Sequence, residues 1–213
     1  MRKIIRTPLC LKKVHLRKFI LIILILLTGC DNSSSYIQIT LSEGFQKDLV
    51  AAATERTKLI VIYNGKYRKI PYPNGDVPNN IGVCTDLIIR AYRKIGIDLQ
   101  QLVHEDMIKF FNLYPSRRIW GLKRADSNID HRRVPNLQTF FKRNNASLEI
   151  SDNPNDYHPG DIVAWDWPGR SPWHIGIVSD RKSERTGVPL MIHNMGRGPQ
   201  IADALFKEKA KDI

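Results

Sequence analysis

The sequence predicts an α+β domain in which helices come first and a small antiparallel sheet follows. Two observations predict it. Apolar residues recur at helical spacing in four stretches before residue 145, and three short β-rich runs follow residue 160. Such segregation of element types marks an α+β architecture, whereas strands alternating with helices would indicate a parallel sheet. At 213 residues, 42% of them hydrophobic, the chain suffices for one well-cored domain and a targeting segment.

The N-terminal segment carries seven basic residues (Arg2, Lys3, Arg6, Lys12, Lys13, Arg17 and Lys18) and no acid before an unbroken apolar run from Phe19 to Leu27. As a helix those nine residues rise only about 14 Å, far short of a hydrocarbon core of roughly 30 Å, so residues 1–29 read as a secretion signal and not as a span. Leu27-Thr28-Gly29-Cys30 resembles the bacterial lipobox. The resemblance implies lipid on the Cys30 sulfur, an acylated amino terminus, and attachment to a membrane on its periplasmic or exterior side. Asp31 resembles the signal that retains enterobacterial lipoproteins in the inner membrane. Residues 30–40, polar and Ser-rich, read as a tether, and the domain is expected over 41–213.

Charge does not indicate nucleic acid. The net charge of +12 falls to +5 once the basic N-terminal segment is set aside, which is ordinary for a soluble surface.

Within the domain, Ser42 is placed to cap a helix with the apolar face Phe45, Leu49, Ala52 and Ala53. Leu59 to Tyr63 is a β-rich run closed by Asn64-Gly65, and residues 71–78 form a Pro- and Gly-containing loop. From Thr85, Leu87, Ile88, Ala91 and Ile95 follow helical spacing up to Gly96, which puts Cys84 at a helix N-terminus. A further helix is expected at about 105–113, with Met107, Ile108, Phe110 and Phe111, and another after Pro135, with Leu137, Phe140 and Phe141. The aromatic pairs are expected in the core. Between these helices, residues 126–133 read as a structured surface loop. Strands are expected at Asp161 to Trp165, His174 to Ser179 and Leu190 to Asn194.

Cys10 leaves with the signal and lipid consumes Cys30, so Cys84 remains the one free thiol of the mature chain, in a compartment where unpaired thiols are buried or reactive. A helix N-terminus favours the thiolate through its dipole and unpaired N–H groups, although a small buried cysteine is the plainer alternative. A hairpin register pairing Ser179 with Val188 sets His174 opposite His193, and a slip of two residues keeps them diagonal on one face. Cys84, His174 and His193 suit nucleophile, base and orienter; a Cys-His-His zinc site is the alternative, without any short-spaced ligand pair to support it.

Gly82-Val83-Cys84-Thr85-Asp86, Pro159-Gly160-Asp161-Ile162-Val163, His174-Ile175-Gly176-Ile177-Val178 and Ile192-His193 resemble the Cys, Gly-Asp, His-x-Gly-Ile and second-His motifs of NlpC-type cell-wall peptidases in the papain-like superfamily. Over nearly the whole mature domain, including Val103 to Met107, Asn128 to Leu137 and His193 to Gly196, the chain resembles a family of uncharacterised exported bacterial proteins within that superfamily. The resemblance implies a papain-like fold, Cys84 as nucleophile, His174 as general base and acid, His193 as orienter, no cofactor, and an amide of peptidoglycan peptides as substrate through a thioester. The rival reading is a lipoprotein that binds cell-wall peptide or a protein partner without turnover.

The interval 100–158 is longer than in minimal domains of that type. Its Arg132 and Arg133 suit bidentate carboxylate binding, with a solvated basic loop as the alternative. The candidate substrate-binding set is Asp76, Asp86, Asp130, His131, Arg132 and Trp173. Asp76, Asp126 and Asp130 serve equally as turn caps, and Trp165, Trp167 and Trp173 either wall a cleft or fill the core.

Overall fold

The computed structural model describes residues 2–5, 44–166 and 173–207. Cys30, the tether, Ser42, Trp167 and all of the expected signal but Arg2–Ile5 lie outside them. Among the described residues no helix is long and apolar enough to cross a membrane.

The architecture is α+β. Strand β1 (Arg2–Ile5) comes first and helix α1 (Phe45–Arg56) next, burying Phe45, Leu49, Val50, Ala52 and Ala53. Strands β2 (Ile62–Tyr63) and β3 (Ile81–Gly82) form a short parallel pair with Tyr63 beside Gly82. Helix α2 (Cys84–Lys94) follows β3 directly. Helix α3 (Leu99–Phe110) starts at Asp98, whose side chain caps the Gln100 N–H, and passes through a 3-10 turn into α4 (Ser116–Trp120). A 3-10 turn at Asp130–Arg132 leads into α5 (Val134–Arg143), which opens with Pro135 as an N-terminal proline. Strands β4 (Ile162–Trp165), β5 (His174–Lys182), β6 (Pro189–Asn194) and β7 (Pro199–Ala202) complete a five-stranded sheet in the order β1-β4-β5-β6-β7.

The pleat sends alternate side chains to opposite faces, and here the two faces have different work. Ile162, Ala164, Ile175, Ile177 and Ile192 pack with α1, α2, α3 and α5 in the main core. Val163, Trp165, Val178 and Met191 point the other way, under a cover of Tyr157, Ala204 and Leu205. Gly176 opposes His193, and a Cβ on it would stand 3.0 Å from the Ile192 carbonyl oxygen and 3.1 Å from the His193 Cβ, so the small residue is needed for β5 to pass β6.

Several expectations are corrected. α3 begins six residues earlier than the apolar pattern suggested, because Asp98 caps it there. Phe140 and Phe141 are core, but Phe110 and Ile108 are exposed at 44% and 63%, with the Arg143 guanidinium lying 4.1 Å over the Phe110 ring. The segment 126–133 is a surface loop only in part: 126–129 are half-buried, whereas Asp130, His131 and Arg132 form a buried 3-10 turn. Strands β1, β3 and β7 and helix α4 went unseen in the sequence, β1 within the segment read as a secretion signal.

Candidate active site

The extended Val83 and the first turn of α2 present Cys84 at the helix N-terminus. Asp86 fixes that turn by accepting from the Val83 N–H at 2.6 Å. The thiol is free and 3% exposed. The Tyr63 hydroxyl approaches the sulfur at 4.0 Å, delivered by the β2–β3 pairing, and the backbone N–H of Ile175 donates to it from the start of β5. Burial pushes the thiol up to about 11, outweighing the lowering by the Tyr63 hydroxyl and the backbone donors Ile175 and Thr85. The same burial, with Cys84 beside it, raises the Tyr63 hydroxyl well above the ordinary phenol range. Desolvation therefore wins over the helix terminus, and the resting sulfur is a neutral thiol. Iodoacetamide labelling of the ligand-free chain should rise about tenfold per pH unit from pH 7 to 10; levelling off below pH 8 would contradict the protonated thiol.

One residue before Ile175 stands His174. Its Nε2 lies 3.0 Å from Nδ1 of His193, with the rings perpendicular. The observed register pairs Gly176 with His193, so the histidines are diagonal neighbours on one face, the two-residue slip from the Ser179–Val188 pairing. Trp165, opposite His174 on β4, packs against that ring at 5.3 Å and anchors its own indole N–H on the Leu205 carbonyl. Both imidazoles are buried. Burial, then His193, takes His174 down to about 3, and burial takes His193 down to about 4. Neutral imidazoles thus accompany the neutral thiol.

The thiol borders a cleft of about 410 Å³, walled by Tyr63, Tyr67, Trp120, Arg132, Arg133 and Trp173. The indoles of Trp120 and Trp173 meet edge to face at 6.0 Å, and the Arg133 guanidinium lies 4.1 Å over Trp120. Tyr67 also borders a larger groove of about 1040 Å³ that runs along Ile108, Phe111, Lys123 and Arg124.

Residues 50–212 match the family model described as a domain of unknown function, DUF1287. The chain belongs to the DUF1287 family. It is 53% identical over 146 residues to the uncharacterized protein YijF of Escherichia coli (strain K12), covering 68% of this chain and 69% of that protein. No solved structure matches it.

In this DUF1287 domain the candidate binding residues separate. Trp173 lines the cleft. Asp86 and Arg132 bind each other, through Nε at 2.7 Å and Nη2 at 3.0 Å, in a fully buried pair that ties the first turn of α2 to the 130–132 turn. Thr85 adds a hydroxyl bond to the Arg132 carbonyl at 3.0 Å. Two opposite charges buried this deeply must be spent largely on one another, so Asp86 positions the cysteine turn and is withdrawn from ligand. Asp76 is held by Arg90 and Arg93 at 2.9 and 3.0 Å. Asp130 accepts from the Asp126 N–H, and its carboxyl is raised to about 6 by burial. His131 is 2% exposed and lowered to about 3 by burial and then by Arg132. These three serve the frame of the site. Among the described residues no group of three or more His, Cys, Asp or Glu side chains converges as a metal site.

Tyr63 and Trp120 are the site residues that sequence reasoning missed. The run Leu59 to Tyr63 followed by Asn64-Gly65 signalled a strand end, but nothing in it pointed to a sulfur 21 residues away.

Proposed function

We propose that this DUF1287 protein is a cysteine hydrolase with a papain-like, NlpC-type fold, anchored to a membrane through lipid on Cys30 and cleaving an amide in peptidoglycan peptides. The supporting observation is one juxtaposition. A free thiol on the first residue of α2 borders a cleft, and strand β5, against which α2 packs, opens with His174, half of a buried imidazole pair with His193.

In this reading His174 donates its Nε2 proton to His193 Nδ1, which leaves the Nδ1 lone pair of His174 as the proton acceptor. A thiol raised by burial beside a lowered imidazole makes proton transfer before attack uphill. Transfer is therefore coupled to bond formation: as the sulfur closes on the amide carbon, its proton moves to His174 Nδ1. The Cys84 N–H and the Tyr63 hydroxyl donate to the developing oxyanion. His174 then gives that proton to the amine nitrogen, the C–N bond breaks, and a thioester remains. Water deprotonated by His174 adds to the thioester, the C–S bond breaks, and the thiol and a carboxylic acid are released. The groove beyond Tyr67 accommodates the remainder of a peptide chain.

The neutral resting thiol favours a second reading, in which the same cleft binds cell-wall peptide without turnover. Incubation of purified sacculi with the chain separates them. The hydrolase reading predicts new amino termini in the released muropeptides, none with Cys84→Ala, and a loss of about 10²–10⁴-fold in kcat with His174→Ala. An unchanged muropeptide profile with wild-type protein would overturn it.

A further inference from the structure

Arg132 and Arg133 stand on consecutive residues, and both border the Cys84 cleft, in whose walls no carboxylate stands among the described residues. Their donors are incompletely used. Asp86 takes Nε and Nη2 of Arg132, leaving Nη1 of a residue only 6% exposed buried without a hydrogen-bond partner. Nη1 of Arg133 is likewise buried without a hydrogen-bond partner: it is ion-paired with Asp130 at 3.9 Å, beyond hydrogen-bonding reach, and the guanidinium plane rests on Trp120. A buried donor without a partner is costly, and two of them beside one cavity mark a place prepared for an acceptor that arrives with a ligand. The fork of a guanidinium matches a carboxylate in geometry, and the indole beneath Arg133 holds that fork flat while letting it slide toward a ligand.

We infer that the Arg132–Arg133 wall is a carboxylate subsite, and that the substrate is a peptide carrying a free carboxylate next to the amide Cys84 attacks. Arg133 is the specificity-determining residue, since Arg132 is already committed to Asp86. The word substrate rests on the hydrolase reading; the carboxylate subsite does not. A neutral amide in place of the carboxylate leaves both donors facing a weaker acceptor, and discrimination follows from that difference.

The test uses two alkylating reagents of nearly equal size on the full chain at pH 9: anionic iodoacetate and neutral iodoacetamide. The ratio of their rates at Cys84 is divided by the same ratio for the neutral thiol N-acetylcysteine amide. The expected value is tenfold or more above 1 for the wild type, close to 1 for Arg133→Gln, and intermediate for Arg133→Lys, which keeps the charge and loses the fork. A wild-type value near 1, or a value that Arg133→Gln leaves unchanged in a chain of unaltered circular dichroism, overturns the subsite. Sacculus hydrolysis accompanied by a ratio near 1 overturns the subsite and keeps the hydrolase. A raised ratio that depends on Arg133, without hydrolysis, supports the subsite and removes the enzyme.

Discussion

Asp86→Ala is expected to cost about 3–5 kcal/mol of folding stability, the loss typical when one partner is removed from a buried ion pair. The substitution deletes both hydrogen bonds to Arg132 and the bond to the Val83 N–H that fixes the first turn of α2. It leaves a guanidinium in the interior, with little water to replace the carboxylate. Because the penalty lies in the stranded charge, the double substitution Asp86→Leu with Arg132→Met should be less destabilising than the sum of the two singles. Urea unfolding of the wild type, Asp86→Ala, the two singles and the double substitution checks both statements. A loss below about 1 kcal/mol for Asp86→Ala would show that the pair does not hold the cysteine turn.

Acid should destabilise the protein steeply below pH 6. His131, His174 and His193 are taken down to about 3, about 3 and about 4 in the folded chain, in each case chiefly by burial. Unfolded, each titrates near 6.5, so between the two values the unfolded chain binds the extra proton and stability falls as pH falls. Each contributes a slope of roughly 1.4 kcal/mol per pH unit across that window. Asp130 acts in the opposite sense. Its folded carboxyl, raised to about 6, keeps a proton that the unfolded chain has released, and this offsets about one histidine between pH 4 and 6. The net slope is about 3 kcal/mol per pH unit near pH 5. Stability from these histidines should be flat from pH 7 to 9, and the raised thiol of Cys84 then lowers it as pH climbs from 9 to 11. Thermal midpoints measured from pH 4.5 to 9 test this; a maximum near pH 5 would contradict the neutral, buried imidazoles.

The parts of the fold legible in the sequence are those written in periodicity. Leu87, Ile88 and Ala91 before Gly96 placed a helix start at Cys84, and strand alternation put His174 and His193 on one face whatever the even-numbered slip. What stayed hidden depends on partners distant in sequence. The two-residue strands that bring Tyr63 to Cys84 are too short to show a period. Charges at 86 and 132 were visible, but not that they would meet, so residues assigned to ligand are spent on the frame. The segment 126–133 looked too polar to bury because its satisfaction comes from Asp86, Thr85 and Asn136 on other elements. The helix terminus at Cys84 was likewise legible, while the burial that holds its thiol protonated was not.

A cysteine hydrolase of the proposed kind forms a covalent acyl intermediate on Cys84. Acid quenching of the wild-type chain during sacculus digestion, followed by mass spectrometry of the peptide containing Cys84, tests it most directly. The expected result is a muropeptide-derived acyl group on Cys84 that neutral hydroxylamine removes and that His193→Ala diminishes. New muropeptide ends released without any adduct, and released equally by Cys84→Ala, would contradict it.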